Sequence, residues 1–344
     1  MSIKYVINKK HNEYSVLDFI SIVNISNISR SDYDKITCLC VNFDGKIVTL
    51  SDLNKINEMK SLEYLSIKDA NFDNTISYST DDMNLDNFLS KFKKLKVLHL
   101  TDINIKILPL LPVGLEELNV SNNMIRFLQN LPPNLKKLDC QDNMISNIDF
   151  LPETIVSFNC RSNSLLTLPE LSDSLTVLNC YDNAIFKLPE LPNKLEYLIC
   201  DYNNLDELPK LPDTLVYLDC SMNNIKLLPK LPSIMYNLDC NHNKISELPN
   251  VLPSRIKTLY CNNNCIKSLP DSFIALKCLN INKYAGVDHH KKDNFNVDRK
   301  CNPDITNNPI WDDIKRKYGR KNGDKKNSED ILKVYVGALR SNVV

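Results

Sequence analysis

Between residues 95 and 282 the apolar positions recur in a fixed frame, with neither a helical period nor a simple alternation. One pass of it reads Leu195-x-x-Leu198-x-Cys200-x-x-Asn203-x-Leu205-x-x-Leu208-Pro209-x-Leu211-Pro212. Cysteines at 140, 160, 180, 200, 220 and 240 return at one constant interval, and Cys261 follows one position late. The leucine two places before each cysteine belongs to a longer series: Leu98, Leu118, Leu138, Phe158, Leu178, Leu198, Leu218, Leu238, Leu259 and Leu279. Two wider steps precede it, from Leu39 to Leu65 and from Leu65 to Leu98. The alternation Leu-x-Cys sets both side chains on one face of a short strand and turns the residue between them to the other. One strand per repeat, stacked in parallel, is the predicted arrangement. A single repeat buries too few side chains to offset the entropy of ordering its backbone, so the units must be stabilised by their neighbours.

The connecting segments are predicted from their breakers. Leu-Pro-x-Leu-Pro at 188–192, 208–212 and 228–232 removes backbone donors and biases the preceding residues away from helix, so the far side of these coils is extended. Earlier in the chain Leu85, Phe88, Leu89 and Phe92 follow i, i+3, i+4, i+7, which predicts a helix behind that coil. The extra residue of the late step falls near Asn250-Val251-Leu252-Pro253, on the outer side, where it does not disturb strand register. Asparagines at 123, 143, 163, 183, 203, 223, 243 and 264 stand where the chain leaves each strand and turns inward. A carboxamide both donates and accepts, so the series is read as a ladder that satisfies loop backbone; a polar binding stripe is the alternative.

A period of roughly 20 to 29 residues with LxxLxL followed by Asn is the leucine-rich-repeat pattern. The frame with LPxLP resembles the LPX-type repeats of bacterial leucine-rich-repeat effectors, over about residues 95–282. Cys mostly stands where that family has Val at the last strand position. The Asn-rich, Gly-poor composition, with 45 Asn and 6 Gly, is similar to that of leucine-rich-repeat proteins of AT-rich genomes, including giant DNA viruses. The resemblance implies an α/β repeat solenoid: a superhelix with a parallel β-sheet on the concave face, a mostly extended convex side and a few flanking helices. Some effectors of this type carry a ubiquitin-ligase domain with a catalytic Cys-x-Asp. Here the sequence reads Cys301-Asn302-Pro303-Asp304, one position too long, and the stretch after Asn282 is short, so that activity is not carried over.

Composition removes other function classes. Lys and Arg number 42, as do Asp and Glu, so the chain as a whole lacks the positive excess expected of a protein built around nucleic acid or acidic membrane. No stretch approaches the roughly 20 apolar residues of a membrane span, and no apolar region follows the first basic residues as in a secretory signal. The six glycines form neither GxGxxG nor GxxxxGK[ST], which removes the usual nucleotide sites. The twelve cysteines are therefore expected in a reducing, cytoplasmic compartment, the host cytoplasm if the protein is viral or an effector. In the repeat column they are read as small buried residues; a straight column does not converge on one metal ion as zinc requires. His289 and His290 with Cys301 are weighed as metal ligands and read as a polar connector, leaving no cofactor and no metal expected.

The outward strand positions supply the candidate site. They include Tyr197 and Tyr217 before the central leucine, Asp139, Asp219, Asp239 and Tyr260 after it, and Tyr181 and Asp201 after the cysteine. Residues 98–282 hold 15 Lys and Arg against 20 Asp and Glu, net −5, which favours a basic partner. Tyrosine contributes area and a hydrogen bond at small entropy cost, as interfaces require, whereas a merely solvated face is the plain alternative.

Residues 283–344 are net +5, and Asn308-Pro309 with Asp312, Asp313, Lys315, Arg316, Lys317 and Gly319 predicts a short helix with Asn308 as its N-cap. A second helix is predicted from Ser328, with Ile331, Leu332, Tyr335 and Leu339 along one face. The expected organisation is an irregular section with longer, helix-backed repeats at 1–94, a regular array at 95–282 and a basic, partly helical tail at 283–344. The expected function is non-catalytic protein–protein interaction by a monomeric scaffold, binding through Tyr181, Tyr197, Asp201, Tyr217, Asp219, Asp239 and Tyr260. The rivals are an adaptor to ubiquitin machinery through the terminal regions, or nucleic-acid contact through the basic tail.

Overall fold

The computed structural model describes residues 6–7, 20–21, 29–48, 50–72, 85–270, 272 and 308–318. They fall in two compact units, Met1–Leu175 and Thr176–Val344. In the first, strands β1 (Val6–Ile7), β2 (Ile20–Ser21) and β3 (Ile36–Asn42) are followed by β4 (Ile47–Val48), β5 (Tyr64–Lys68), β6 (Asn71–Phe72), β7 (Val97–Thr101), β8 (Glu117–Asn119), β9 (Phe127–Leu128), β10 (Lys137–Asp139), β11 (Asn147–Ile148) and β12 (Ser157–Asn159). Parallel pairing runs β3-β5-β7-β8-β10-β12, with β1 antiparallel to β3. The register aligns Leu39, Leu65, Leu98, Leu118, Leu138 and Phe158, so the two wider steps are full coils of the same stack. The second unit repeats the arrangement in β13 (Val177–Asn179), β14 (Tyr197–Ile199), β15 (Tyr217–Asp219), β16 (Asn237–Asp239) and β17 (Thr258–Tyr260), aligning Leu178, Leu198, Leu218, Leu238 and Leu259. Both units are parallel β-solenoids.

The frame explains the core. From Leu138 to Leu259, with Phe158 among them, each central residue is buried together with the cysteine two places on, and Cys140, Cys160, Cys180, Cys200, Cys220, Cys240 and Cys261 have no exposed surface. Several thiols also find an acceptor: Cys140, Cys220 and Cys240 donate to the carbonyls of Asn159, Asp239 and Tyr260 at 3.3–3.4 Å. The asparagines form the predicted ladder. Asn203 accepts from the Ile185 amide at 2.9 Å and donates to the carbonyls of Cys180, Cys200 and Asp201, so one carboxamide serves two successive turns. Asn223, Asn243 and Asn264 repeat this scheme with Leu205, Ile225 and Ile245. Such bonding is what a dry interior demands of inward-turning loop amides.

Ahead of each ladder asparagine the backbone is left-handed, with φ of 51–56° at Asn122, Asp142, Ser162, Asp182, Tyr202, Met222, His242 and Asn263. Asn and Asp adopt this region readily, whereas Tyr202 and Met222 are forced into it. The outer side is mostly extended, with two-residue pairings of β9 with β11 and of β4 with β6. Among the described residues, helices back the longer early coils at Leu50–Asn57 and Leu85–Leu89. The second is shorter than the spacing predicts. Phe92 lies beyond its end yet is buried, its ring edge-on to Phe88 at 5.2 Å, because the chain must already turn back toward β7.

Asn308 stands at the N-cap position of the helix Pro309–Tyr318, its carbonyl accepting from the Trp311 amide at 2.9 Å, while its side chain accepts from the Ile266 amide at 3.1 Å and donates to the Cys261 carbonyl at 2.8 Å. The side-chain bonds are those of one more ladder rung. Trp311 and Ile314 of the helix are buried behind it. Leu279, His289, His290, Cys301 and the helix expected from Ser328 lie outside the described residues.

Candidate functional site

Every residue of the expected patch except Asp139 belongs to the second unit, on or just after its strands. Tyr197 and Tyr217 are register partners, and their rings stack with centroids 6.2 Å apart and planes 29° from parallel. The stack follows from identical positions in adjacent repeats, which bring outward side chains within contact distance. Tyr236 joins it, its hydroxyl donating to that of Tyr197 at 3.4 Å. Tyr181 meets Tyr202 edge to face at 5.4 Å. Neither Tyr202 nor Tyr236 is legible from the strand frame: Tyr202 is swung outward by its left-handed backbone, and Tyr236 precedes β16. Tyr260 ends β17 opposite Asp239.

The carboxylates are less open than outward positions imply. Asp219 and Asp239 are register partners with only 2% and 4% of their surface exposed, and Asp201 retains 7%. Strands pair on both sides of Asp219 and Asp239. Asp219 accepts from the Ser221 amide at 3.1 Å and hydroxyl at 2.8 Å, and Asp239 from the Asn241 amide at 3.1 Å. Burial, reinforced first by Asp219 and then by Asp239 and Asp182, raises the Asp201 carboxyl to about 9, so it holds a proton at neutral pH. Burial next to Asp219, Asp239 and Asp201 likewise drives the Tyr217 phenol upward. Asp139, in the first unit, accepts from the Gln141 amide and the Asn159 side chain, and burial raises it as well. The face therefore offers aromatic surface, buried acceptors and a protonated carboxyl in place of three exposed charges.

No protein-family model and no curated protein matches the chain. Solved structures do. YopM from Yersinia enterocolitica is 31% identical with a TM-score of 0.55, covering 63% of this chain and 46% of that one. YopM from Yersinia pestis, described as a leucine-rich effector protein, is 28% identical with a TM-score of 0.57, covering 69% and 63% respectively. An internalin of Listeria monocytogenes shares the fold at 20% identity and a TM-score of 0.54, over 72% of this chain and 80% of that one. This is a leucine-rich-repeat fold. The chain spans less than two thirds of the length of either YopM protein.

Leucine-rich-repeat strand faces present side chains in columns, and the second unit has its tyrosines in such columns. Among the described residues there is no group of three or more His, Cys, Asp or Glu side chains able to hold a metal ion, and no helix long and apolar enough to cross a membrane. The basic run of the C-terminal helix is partly neutralised on its own element. Lys315 pairs with Asp312 at 2.8 Å and Arg316 with Asp313 at 2.7 Å, while the Lys315 ammonium stands 5.9 Å from the Trp311 ring centre.

Proposed function

We propose that this protein is a non-catalytic binding scaffold whose second unit captures a basic protein partner on its strand face. The Tyr197–Tyr217 stack is the observation that carries the reading: two register-aligned, half-buried aromatic rings already hold each other in place before a partner arrives. Rigid aromatic anchors supply contact area at little further entropy cost, and interfaces concentrate their energy in such residues. Tyr181 with Tyr202 extends the aromatic surface, Tyr260 lies across the register from Asp239, and the net charge of −5 over residues 98–282 favours a basic partner. Likeness to a protein described as a leucine-rich effector protein supports the scaffold role; a monomer in cytoplasm, that of a host if the protein is an effector, is part of the same proposal.

Partner capture from the native cell, followed by crosslinking and mass spectrometry, tests the reading. Tyr197→Ala with Tyr217→Ala should abolish capture while circular dichroism of the solenoid is unchanged, since anchors of this kind are worth about 2 kcal/mol or more each. Full binding by the double variant, with binding lost on deletion of residues 283–344, would transfer the function to the tail. Sensitivity of that binding to nuclease would then identify nucleic acid as the ligand.

A further inference from the structure

The first unit carries another set of reactive side chains on its own strand face. Cys38 and Cys40 flank the core residue Leu39 on β3, so both thiols project from one face, beside Tyr64, the register partner of Cys38 on β5. Cys40 follows on the same face as the register partner of Ser66, and its thiol is lowered by the neighbouring Cys38 thiol first and, against burial, by the Tyr64 hydroxyl. From Tyr64 the contacts continue: its hydroxyl lies 3.0 Å from His99 Nδ1, and its ring meets the imidazole edge to face at 5.2 Å. His99 Nε2 lies 3.3 Å from Glu117 Oε1, and Glu117 Oε2 lies 3.2 Å from Lys137 Nζ.

This chain has a direction. With His99 neutral and its Nε2–H donating to Glu117, Nδ1 is the acceptor; the Tyr64 hydroxyl then donates to Nδ1, and its oxygen accepts from the Cys40 thiol. Shifting one proton from sulfur to the tyrosine oxygen and another from that oxygen to Nδ1 leaves a Cys40 thiolate, a neutral tyrosine and an imidazolium facing Glu117.

We propose that Cys40 is a nucleophilic thiol, activated through the Tyr64–His99–Glu117 relay and modified by exchange with small disulfides. The Cys40 sulfur attacks one sulfur of the disulfide, whose S–S bond breaks. A mixed disulfide forms on Cys40, and the departing thiolate takes the proton held by His99, so a thiol and a disulfide become a mixed disulfide and a free thiol. The repeat-column cysteines provide the contrast. Burial drives Cys140, Cys200, Cys220 and Cys240 well upward, with no exposed surface, whereas Cys40 retains 6% of its surface and is lowered, first by the Cys38 thiol and then, against burial, by Tyr64. Among the described residues the titratable groups on this face are Cys38 on β3, Tyr64 and Lys68 on β5, His99 on β7, Glu117 on β8, and Lys137 and Asp139 on β10; β1 and β2, both pairing with β3, contribute Val6, Ile7, Ile20 and Ser21.

Labelling of the folded full-length chain with limiting dithionitrobenzoate across about pH 6 to 9, followed by peptide mapping, tests this. Cys40 should be modified well before Cys140, with a rate midpoint below the value of about 8.5 of an ordinary thiol. Tyr64→Phe interrupts the relay and should slow Cys40 about tenfold near neutral pH, the factor for a one-unit rise in its midpoint, while labelling of the exposed Cys265 stays the same. Glu117→Gln, at a part-exposed position, should slow it in the same direction and serves as the reporter if Tyr64→Phe fails to fold. Reaction at Cys38 in place of Cys40, reaction of Cys40 no faster than Cys140, or an unaltered Cys40 profile in a folded variant would overturn the proposal.

Discussion

One carboxamide per turn satisfies the loop backbone that turns into the interior. Asn203 bonds one amide and three carbonyls, none of which has water as a ready substitute. Asn203→Ala should therefore lower stability by about 1–3 kcal/mol, read as a shift in the urea midpoint. Asp201 makes a pH prediction. Its carboxyl ionises near 3.8 when unfolded and near 9 when folded, so the folded state binds the proton more tightly. That contribution to stability is complete below 3.8 and is withdrawn as pH rises toward about 9. Asp201→Asn should flatten the decline in unfolding midpoint over this window; an unchanged slope would show that other groups control it. The ladder role of the asparagines was legible from their spacing. The burial of Asp201, Asp219 and Asp239 was not, because alternation assigns a face without saying how much the neighbouring coils cover.

Among the helices and strands, the most informative case is the helix Pro309–Tyr318. Its existence was legible locally from Asn308-Pro309 and the ordering of acidic and basic residues. Its purpose was not. Asn308 serves backbone groups 42 and 47 residues earlier, and the regular spacing that reveals every other rung is interrupted before it. A solenoid end exposes core side chains and unpaired loop amides, and here Asn308, Trp311 and Ile314 cover them. Trp311→Ala should cost about 3–5 kcal/mol, the range for large-to-small changes at buried aromatic positions. Hydrogen exchange at the Ile266 amide should rise in that variant and in Asn308→Ala. Protection retained at Ile266 in both would mean that the helix is not what closes this end.

Across the chain, charge and pattern separate. The total is neutral, but residues 98–282 are net −5, and that asymmetry predicts that a basic partner associates more slowly as salt is raised. Stopped-flow rates independent of ionic strength would leave the tyrosines, rather than charge, as the selecting feature. The solenoid itself was written in the pattern: a repeating frame of Leu, Cys and Asn admits one strand per turn, and parallel stacking is the arrangement that buries every repeat of it. What the repeats bring together became visible only once the coils were folded. The Tyr202 backbone, the protonated Asp201, the Asn308 rung and the Cys40–Tyr64–His99–Glu117 chain each depend on side chains from different coils or on their local burial. Periodicity specifies where a residue points, whereas distance and dielectric around it arise only when the coils are packed.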